Sequence, residues 1–182
     1  GFDDVYIMPA SSDAGTSLGA ALYVTHVLGY EKPQVHPHVD TLGPHFTEAE
    51  IESVLSVSGC TFQRPDDLPS AVAAHLASGR IVGWFQGRAE FGPRALGARS
   101  ILADPRSATM KDTLNARVKF REWFRPFAPA VLADRCGELF ERDHASPYML
   151  EVMQTRPDRL EDVAAGTHVD GGARVQTVTE ES

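Results

Sequence analysis

An α/β fold is what this sequence predicts, and two observations carry the prediction. Segments with helical spacing of apolar residues, opened by capping side chains and closed by glycines, alternate with short apolar runs of strand character. One of those runs, "RIVGWFQ" at 80–86, ends directly in a loop rich in glycine and arginine. The 182 residues, 42% hydrophobic and 23% charged, are enough for one compact domain, or for a domain with a piece of another. No apolar run approaches the roughly 18 residues that a membrane-spanning helix needs. No charged-then-apolar secretory leader opens the chain, so a cytoplasmic location is expected. Cys60 and Cys136 are too few for a disulfide framework and lack paired spacing for zinc, which suits a reducing compartment; both are expected to be buried as small apolar residues.

"DVYIMP" at 4–9 reads as a short buried strand. The turn and helix of "SSDAGTSLGAALYVTHVLGY" follow, with Leu18, Ala21, Leu22 and residues 24–28 on a helical repeat that Gly29 stops. "EKPQVHPHVDTLGP" holds three prolines and no period, and so reads as a linker, with a domain boundary near residue 40. Thr47 opens the next helix, Glu50 completes a capping box with it, and Gly59 ends it. "TFQRP" at 61–65 is assigned as a strand. A helix capped by Asp67 and ended by Gly79 leads into the strand at 80–86. Beyond the arginine loop, "RSILADP", "APAVLA", "YMLEVMQ" and "RVQTVT" read as strands and "TMKDTLNARVK" as a helix. The alternation favours an α/β architecture.

The net charge of −8 hides a polarity. Residues 80–127 contain ten basic side chains and four acidic ones, a local balance of +6, so the rest of the chain carries −14. A basic segment confined within an acidic chain argues for a local anion site and against general nucleic-acid binding. In "GRAEFGPRALGARS", Arg88, Arg94 and Arg99 crowd one loop among Gly87, Gly92 and Gly97. Guanidinium groups brought together repel unless anions lie between them, and their forked donors match phosphate oxygens. The alternative is structural pairing with Glu90, Asp104 and Glu122. A second run, "NARVKFREWFRPFAP", supplies Arg117, Lys119, Arg121 and Arg125, interleaved with Phe120, Trp123, Phe124 and Phe127. Those aromatics serve as packing, as pocket walls or as stacking platforms for single-stranded nucleic acid. Pro126 stiffens the chain beside Arg125.

In "PASSDAGTSLGAA", Asp13 stands between a strand and a helix. It suits a cation or a ribose hydroxyl, although a helix N-cap is the commoner role for such an aspartate. His168 sits in a turn near Asp170 and Arg174, and hydrogen bonding is the ordinary role for a lone histidine. The other histidines, including His36 and His38, show no metal spacing, and no nucleophile elbow, Walker loop or paired-cysteine motif appears.

The blocks "QGRAEFGPRALGARSILADPR", "LNARVKFREWFRPFAPAVL" and "HVDGGARVQTV" resemble the carboxy-terminal region of the O-carbamoyltransferases that act on nodulation factors, aminoglycosides and cephem antibiotics. The resemblance covers residues 1–182 approximately. It implies that 1–40 is the closing strand, helix and linker of an actin-like kinase-type domain, and that 41–182 is a YrdC-like α/β domain, a twisted mixed sheet with helices packed on it. It implies two-step chemistry: carbamoyl phosphate and ATP form carbamoyladenylate, and the actin-like domain passes the carbamoyl group to a hydroxyl of a small-molecule acceptor. By motif position Arg94 and Arg125 correspond to the carbamoyl-phosphate arginines, and Arg174 to an ATP contact, with His168 beside it. Arg88, Lys119 and Arg121 are further phosphate contacts, and Asp13 is the aspartate that ligates iron in the transfer site. Magnesium would be held largely by the nucleotide phosphates. The family pattern continues into an "NTSFN"-type segment beyond residue 182 and has "DGTAR" where this chain has "DGGAR". Without that segment, the amino-terminal metal-binding histidines and the acceptor site, the chain is expected not to complete transfer alone. Two alternatives remain: a non-catalytic module for a phosphorylated ligand or RNA, and an enzyme of threonylcarbamoyl-adenylate chemistry on tRNA.

Overall fold

The computed structural model describes residues 7–31 and 40–179. The first residues of the expected strand at 4–9, the linker at 32–39 with His36 and His38, and residues 180–182 lie outside that set. The chain divides into two compact units, each treated by itself below: residues 1–63 with 85–100, and residues 64–84 with 101–182. Among the described residues no helix is long and apolar enough to cross a membrane.

Unit 1 contains α1 (Asp13–Val27) and α2 (Glu48–Val57). The N-cap of α1 is Ser12, and Asp13 is the first helical residue, where its charge suits the positive end of the helix dipole. The N-cap role considered for Asp13 is thereby corrected by one position. No α1 residue is buried, and Leu22, Tyr23, Val24 and Val27 all lie exposed. At α2 the capping box forms as the sequence requires. Thr47 Oγ1 accepts from the Glu50 amide at 3.3 Å, and the Glu50 carboxylate accepts from the Thr47 amide at 2.8 Å. Residues 61–65, expected as a strand, are irregular. Cys60 is exposed, contrary to expectation, whereas Cys136 of the second unit is buried.

Unit 2 begins with α3 (Leu68–Ala77), whose cap Asp67 accepts from the Ser70 amide at 3.0 Å. The strand β1 (Val82–Phe85) then carries the chain into the arginine loop of unit 1, and β2 (Arg99–Leu102) brings it back. Next come α4 (Met110–Leu114), a π-helical turn at Asn115–Lys119, β3 (Ala130–Leu132), α5 (Cys136–Leu139) and β4 (Met153–Gln154). A kinked 3₁₀ stretch at Pro157–Gly166, β5 (Gly172–Ala173) and β6 (Gln176–Val178) complete it. β3 runs parallel to β6, with Val131 opposite Thr177, and β4 runs antiparallel to β5, with Met153 opposite Ala173.

The architecture is therefore mixed α/β, with the strands in two-stranded ladders instead of one continuous sheet. The helix expected over 109–119 is an α turn followed by a π turn, and only two residues of "YMLEVMQ" form strand. One apolar cluster gathers Val131, Cys136, Phe140, Met153, Val163 and Val175; a second joins Met110, Leu114 and Ala165 to Ile81, Ala103 and Phe127. The first cluster holds residues of β3, β4 and β5, and the second holds α4 together with Phe127 of the loop that follows it.

Candidate functional site: two arginine loops and a pocket

In unit 1 the loop at 87–98 is tied from several sides. Its strongest organiser is Glu90, whose Oε1 accepts from the amides of Leu96 and Ala98 at 2.8 Å each and of Arg99 at 3.2 Å. Burial pushes this carboxyl up, but the converging amides outweigh it and hold Glu90 below the usual glutamate range. Gly92 has φ +138, and a Cβ there would lie 3.3 Å from the Cα of Ala10, so the turn demands glycine.

The neighbouring segment 40–44 clasps the loop. Phe91 donates its amide to the Asp40 carbonyl, while Gly43 and Ala89 exchange bonds through Gly43 N–H to Ala89 O and Ala89 N–H to Pro44 O, each at 2.9 Å. Arg88 donates Nε to the Thr41 carbonyl at 3.2 Å and Nη2 to that of Leu42 at 3.4 Å. Arg99 lies over the Phe85 ring, 3.7 Å from its centroid, and donates Nη1 to the carbonyls of Gln86 and Ala98.

The three arginines therefore divide. Arg88 and Arg99 hold backbone carbonyls, and Arg94 is exposed, with no hydrogen bond or ion pair among the described residues. Among the described residues no carboxylate pairs with Arg88, Arg94 or Arg99: Glu90 binds amides and Asp104 pairs with Arg106, whereas Glu122 of the structural alternative does pair with an arginine, Arg125 of the second loop.

In unit 2 the second loop turns at Phe120, which adopts a left-handed conformation with φ 48. Phe120, Trp123 and Phe124 are exposed, so simple packing does not account for them, whereas Phe127 joins the second apolar cluster. Arg121 stacks over the Phe127 ring at 4.5 Å and donates Nε to Asn115 Oδ1 at 2.7 Å. Its desolvation, with the Arg125 charge nearby, lowers its affinity for the proton from the usual arginine value. Arg125 is exposed and pairs with Glu122 at 3.0 Å, both side chains being about half in water. Such an ion pair is worth little and yields readily to a better anion. Lys119 is exposed.

Beside this loop lies a depression of about 250 Å³ lined by Pro126, Val152, His168, Asp170, Gly172 and Arg174. A tight turn builds its floor: the His168 amide donates to the Gly172 carbonyl and the Gly171 amide to that of His168. Asp170 accepts from the Gly172 amide at 2.9 Å and faces His168 Nδ1 at 3.1 Å. The amide first, and His168 after it, hold the Asp170 carboxyl below its usual range. His168 and Arg174, singled out from sequence, thus share one pocket with Pro126, the residue next to Arg125. Arg94, Arg88 and Asp13 belong to unit 1.

Asn115 was not among the residues read from sequence. Its signal was a lone amide between the apolar Leu114 and Val118, which periodicity treats as noise. Among the described residues no three His, Cys, Asp or Glu side chains gather to hold a metal ion. Asp13, exposed at the start of α1, offers one carboxylate.

By fold this is an α/β protein, and by the chemistry of its exposed arginines one suited to anionic ligands. Residues 73–182 match the family model described as carbamoyltransferase C-terminus, and the chain belongs to that family. It is 45% identical over 184 residues to nodulation protein NolNO of Sinorhizobium fredii, an alignment covering 98% of this chain and 27% of that protein. It is 39% identical over 187 residues to 3'-hydroxymethylcephem-O-carbamoyltransferase of Streptomyces clavuligerus, covering 98% of this chain and 32% of that protein. An uncharacterized protein of Synechocystis, sll1178, is 44% identical, covering all of this chain and 34% of that protein. The chain thus spans about a third of the length of the curated relatives it matches.

Proposed function

We propose that this chain is the carbamoyladenylate-forming part of an O-carbamoyltransferase. The single observation that most supports the reading is the pocket in which His168 and Arg174 meet Pro126, next in sequence to Arg125. Its size and one cationic wall suit a nucleotide phosphate, while Arg125, held by a labile surface pair with Glu122, suits the smaller carbamoyl phosphate. Arg94 is the second carbamoyl-phosphate arginine, with Arg88, Lys119 and Arg121 as supporting cations. Water releases carbamate and inorganic phosphate from carbamoyl phosphate, and a carbamate oxygen then attacks the α-phosphorus of ATP as pyrophosphate leaves. Both reactants are anions that repel each other, and prearranged guanidinium groups offset that repulsion before chemistry begins. Magnesium, bound to the nucleotide, would supply further charge neutralisation.

Residues 1–40 are proposed to belong to an actin-like domain, a reading supported by the exposed apolar side chains of α1. There Asp13 would give one ligand to an iron ion, whose remaining ligands the described residues do not supply. The acceptor is a small molecule with a hydroxyl group, and the protein works in the cytoplasm.

In the full-length protein, Arg94→Ala and Arg125→Ala are each expected to abolish carbamoyl-phosphate-dependent release of pyrophosphate from ATP, with circular dichroism unchanged. Normal turnover in either variant removes that arginine from the reading. One observation favours a second reading, an RNA-binding module: Phe120, Trp123 and Phe124 are exposed among Lys119, Arg121 and Arg125.

A further inference from the structure

We propose that Asn115 is the positioning residue for Arg125, an inference that rests on the assignment of Arg125 to carbamoyl phosphate. Asn115 is 1% exposed and sits where α4 gives way to the π turn. Its polar groups all face the loop that carries Arg125. Nδ2 donates to the carbonyls of Trp123 at 3.2 Å and of Arg125 itself at 2.9 Å; Oδ1 accepts from Arg121 Nε at 2.7 Å. The Asn115 carbonyl accepts from the Arg121 amide at 3.2 Å.

An asparagine amide has two donor hydrogens, and here both are committed to carbonyls two residues apart on one loop. The π turn and the left-handed Phe120 reverse the chain so that residues 121–125 pass across Asn115. Local irregularities of this kind are retained where they serve a purpose. Arg121 extends the tie, reaching the Pro126 carbonyl with Nη2 at 3.5 Å.

The consequence is a division of labour around Arg125. Its backbone is fastened to a buried amide, and the following proline has little freedom of its own. Among the described residues its side chain has the exposed pair with Glu122 alone, which an arriving phosphate can replace. A guanidinium delivered from a fixed backbone loses less entropy on binding than one on a loose loop.

The test uses steady-state kinetics of the full-length protein with Asn115→Ala, Asn115→Asp and Arg125→Ala. Asn115→Asp keeps the side-chain volume and an acceptor for Arg121, but turns an oxygen toward two carbonyls. Both Asn115 variants should raise KM for carbamoyl phosphate roughly tenfold or more, the effect of losing buried hydrogen bonds, with KM for ATP moving less than about threefold. A KM for carbamoyl phosphate within about twofold of wild type overturns the proposal. So does a loss confined to kcat or thermal stability, which marks a purely structural role. Should Asn115→Ala not fold, Asn115→Asp carries the test. Arg125→Ala separates the two levels: if it abolishes turnover while Asn115→Asp leaves KM for carbamoyl phosphate unchanged, the Arg125 assignment stands and the Asn115 proposal falls. If Arg125→Ala turns over normally, both fall.

Discussion

The two polar side chains that most shape the arginine loops are Glu90 and Asn115, neither of them a cation. Glu90 acts as a charged acceptor for three amides, and its lowered pKa has a consequence for stability. A carboxyl whose folded pKa lies below its unfolded value stabilises the fold above the unfolded value and loses that contribution as pH falls through the folded one. Stability should therefore begin to drop as pH falls below the ordinary glutamate value of 4.5. Glu90→Gln should flatten the decline, and Glu90→Ala should lower stability at neutral pH by about 1–3 kcal/mol, because three amides lose a charged partner. Urea midpoints measured across pH 3–7 check both; parallel wild-type and Gln curves would show that Glu90 does not organise the loop. The sequence exposed the arginines and their glycines but not their separate duties. Arg88, Arg94 and Arg99 look alike in one dimension, and only the positions of the carbonyls of Thr41, Leu42, Gln86 and Ala98 tell a clasp from an exposed cation. Asn115 escaped notice for a related reason: its partners lie six to ten residues onward, past a reversal that no periodicity encodes.

At the level of elements, what the sequence made legible was local. Thr47, Glu50 and Asp67 cap as expected because capping is a contact between residues three apart, and Gly29, Gly59 and Gly79 all have positive φ where helices end. Thr47→Ala should destabilise α2 by about 1 kcal/mol, read as a shift in the urea midpoint, while Thr47→Ser should be nearly silent. The strands were harder, since a ladder needs a partner from far along the chain. "TFQRP" has strand-like residues but no ladder, while β5 is only Gly172–Ala173, a pair that propensity would never select. Contact between segments also gives Gly43 its meaning. A Cβ at that position would fall 2.8 Å from the carbonyl oxygen of Ala89, so Gly43→Ala must push the 40–44 segment off the arginine loop. In the full-length protein this variant is expected to weaken carbamoyl phosphate binding in a titration while leaving the far-ultraviolet spectrum unchanged. Unaltered affinity would mean that the clasp is not needed to present Arg94.

For the molecule as a whole, the charge distribution sets different expectations for a pocket that takes a small phosphorylated ligand and for a surface that takes RNA. Ten of the 17 lysines and arginines fall within residues 80–127, and the remaining chain is strongly acidic. A single-stranded RNA neutralised by six to ten cations would lose about 300-fold or more in affinity between 50 mM and 200 mM salt, through release of condensed counterions. A small phosphate ester has no condensed counterion layer, so its binding should fall by less than about tenfold over the same range. The remainder, with a net charge of −14, reinforces the difference, because it disfavours a long polyanion more than a small ligand. Calorimetric titration of the full-length protein with carbamoyl phosphate, and separately with a single-stranded oligoribonucleotide, at 50, 100 and 200 mM salt reads the two slopes directly. The expected result is shallow, saturable binding of carbamoyl phosphate, weakened by Arg125→Ala, with RNA binding absent at 200 mM. Tight RNA binding that persists there, lost on replacing Trp123 and Phe124 by alanine, would make the exposed aromatic face a nucleic-acid platform and leave carbamoyl phosphate without a role in this chain.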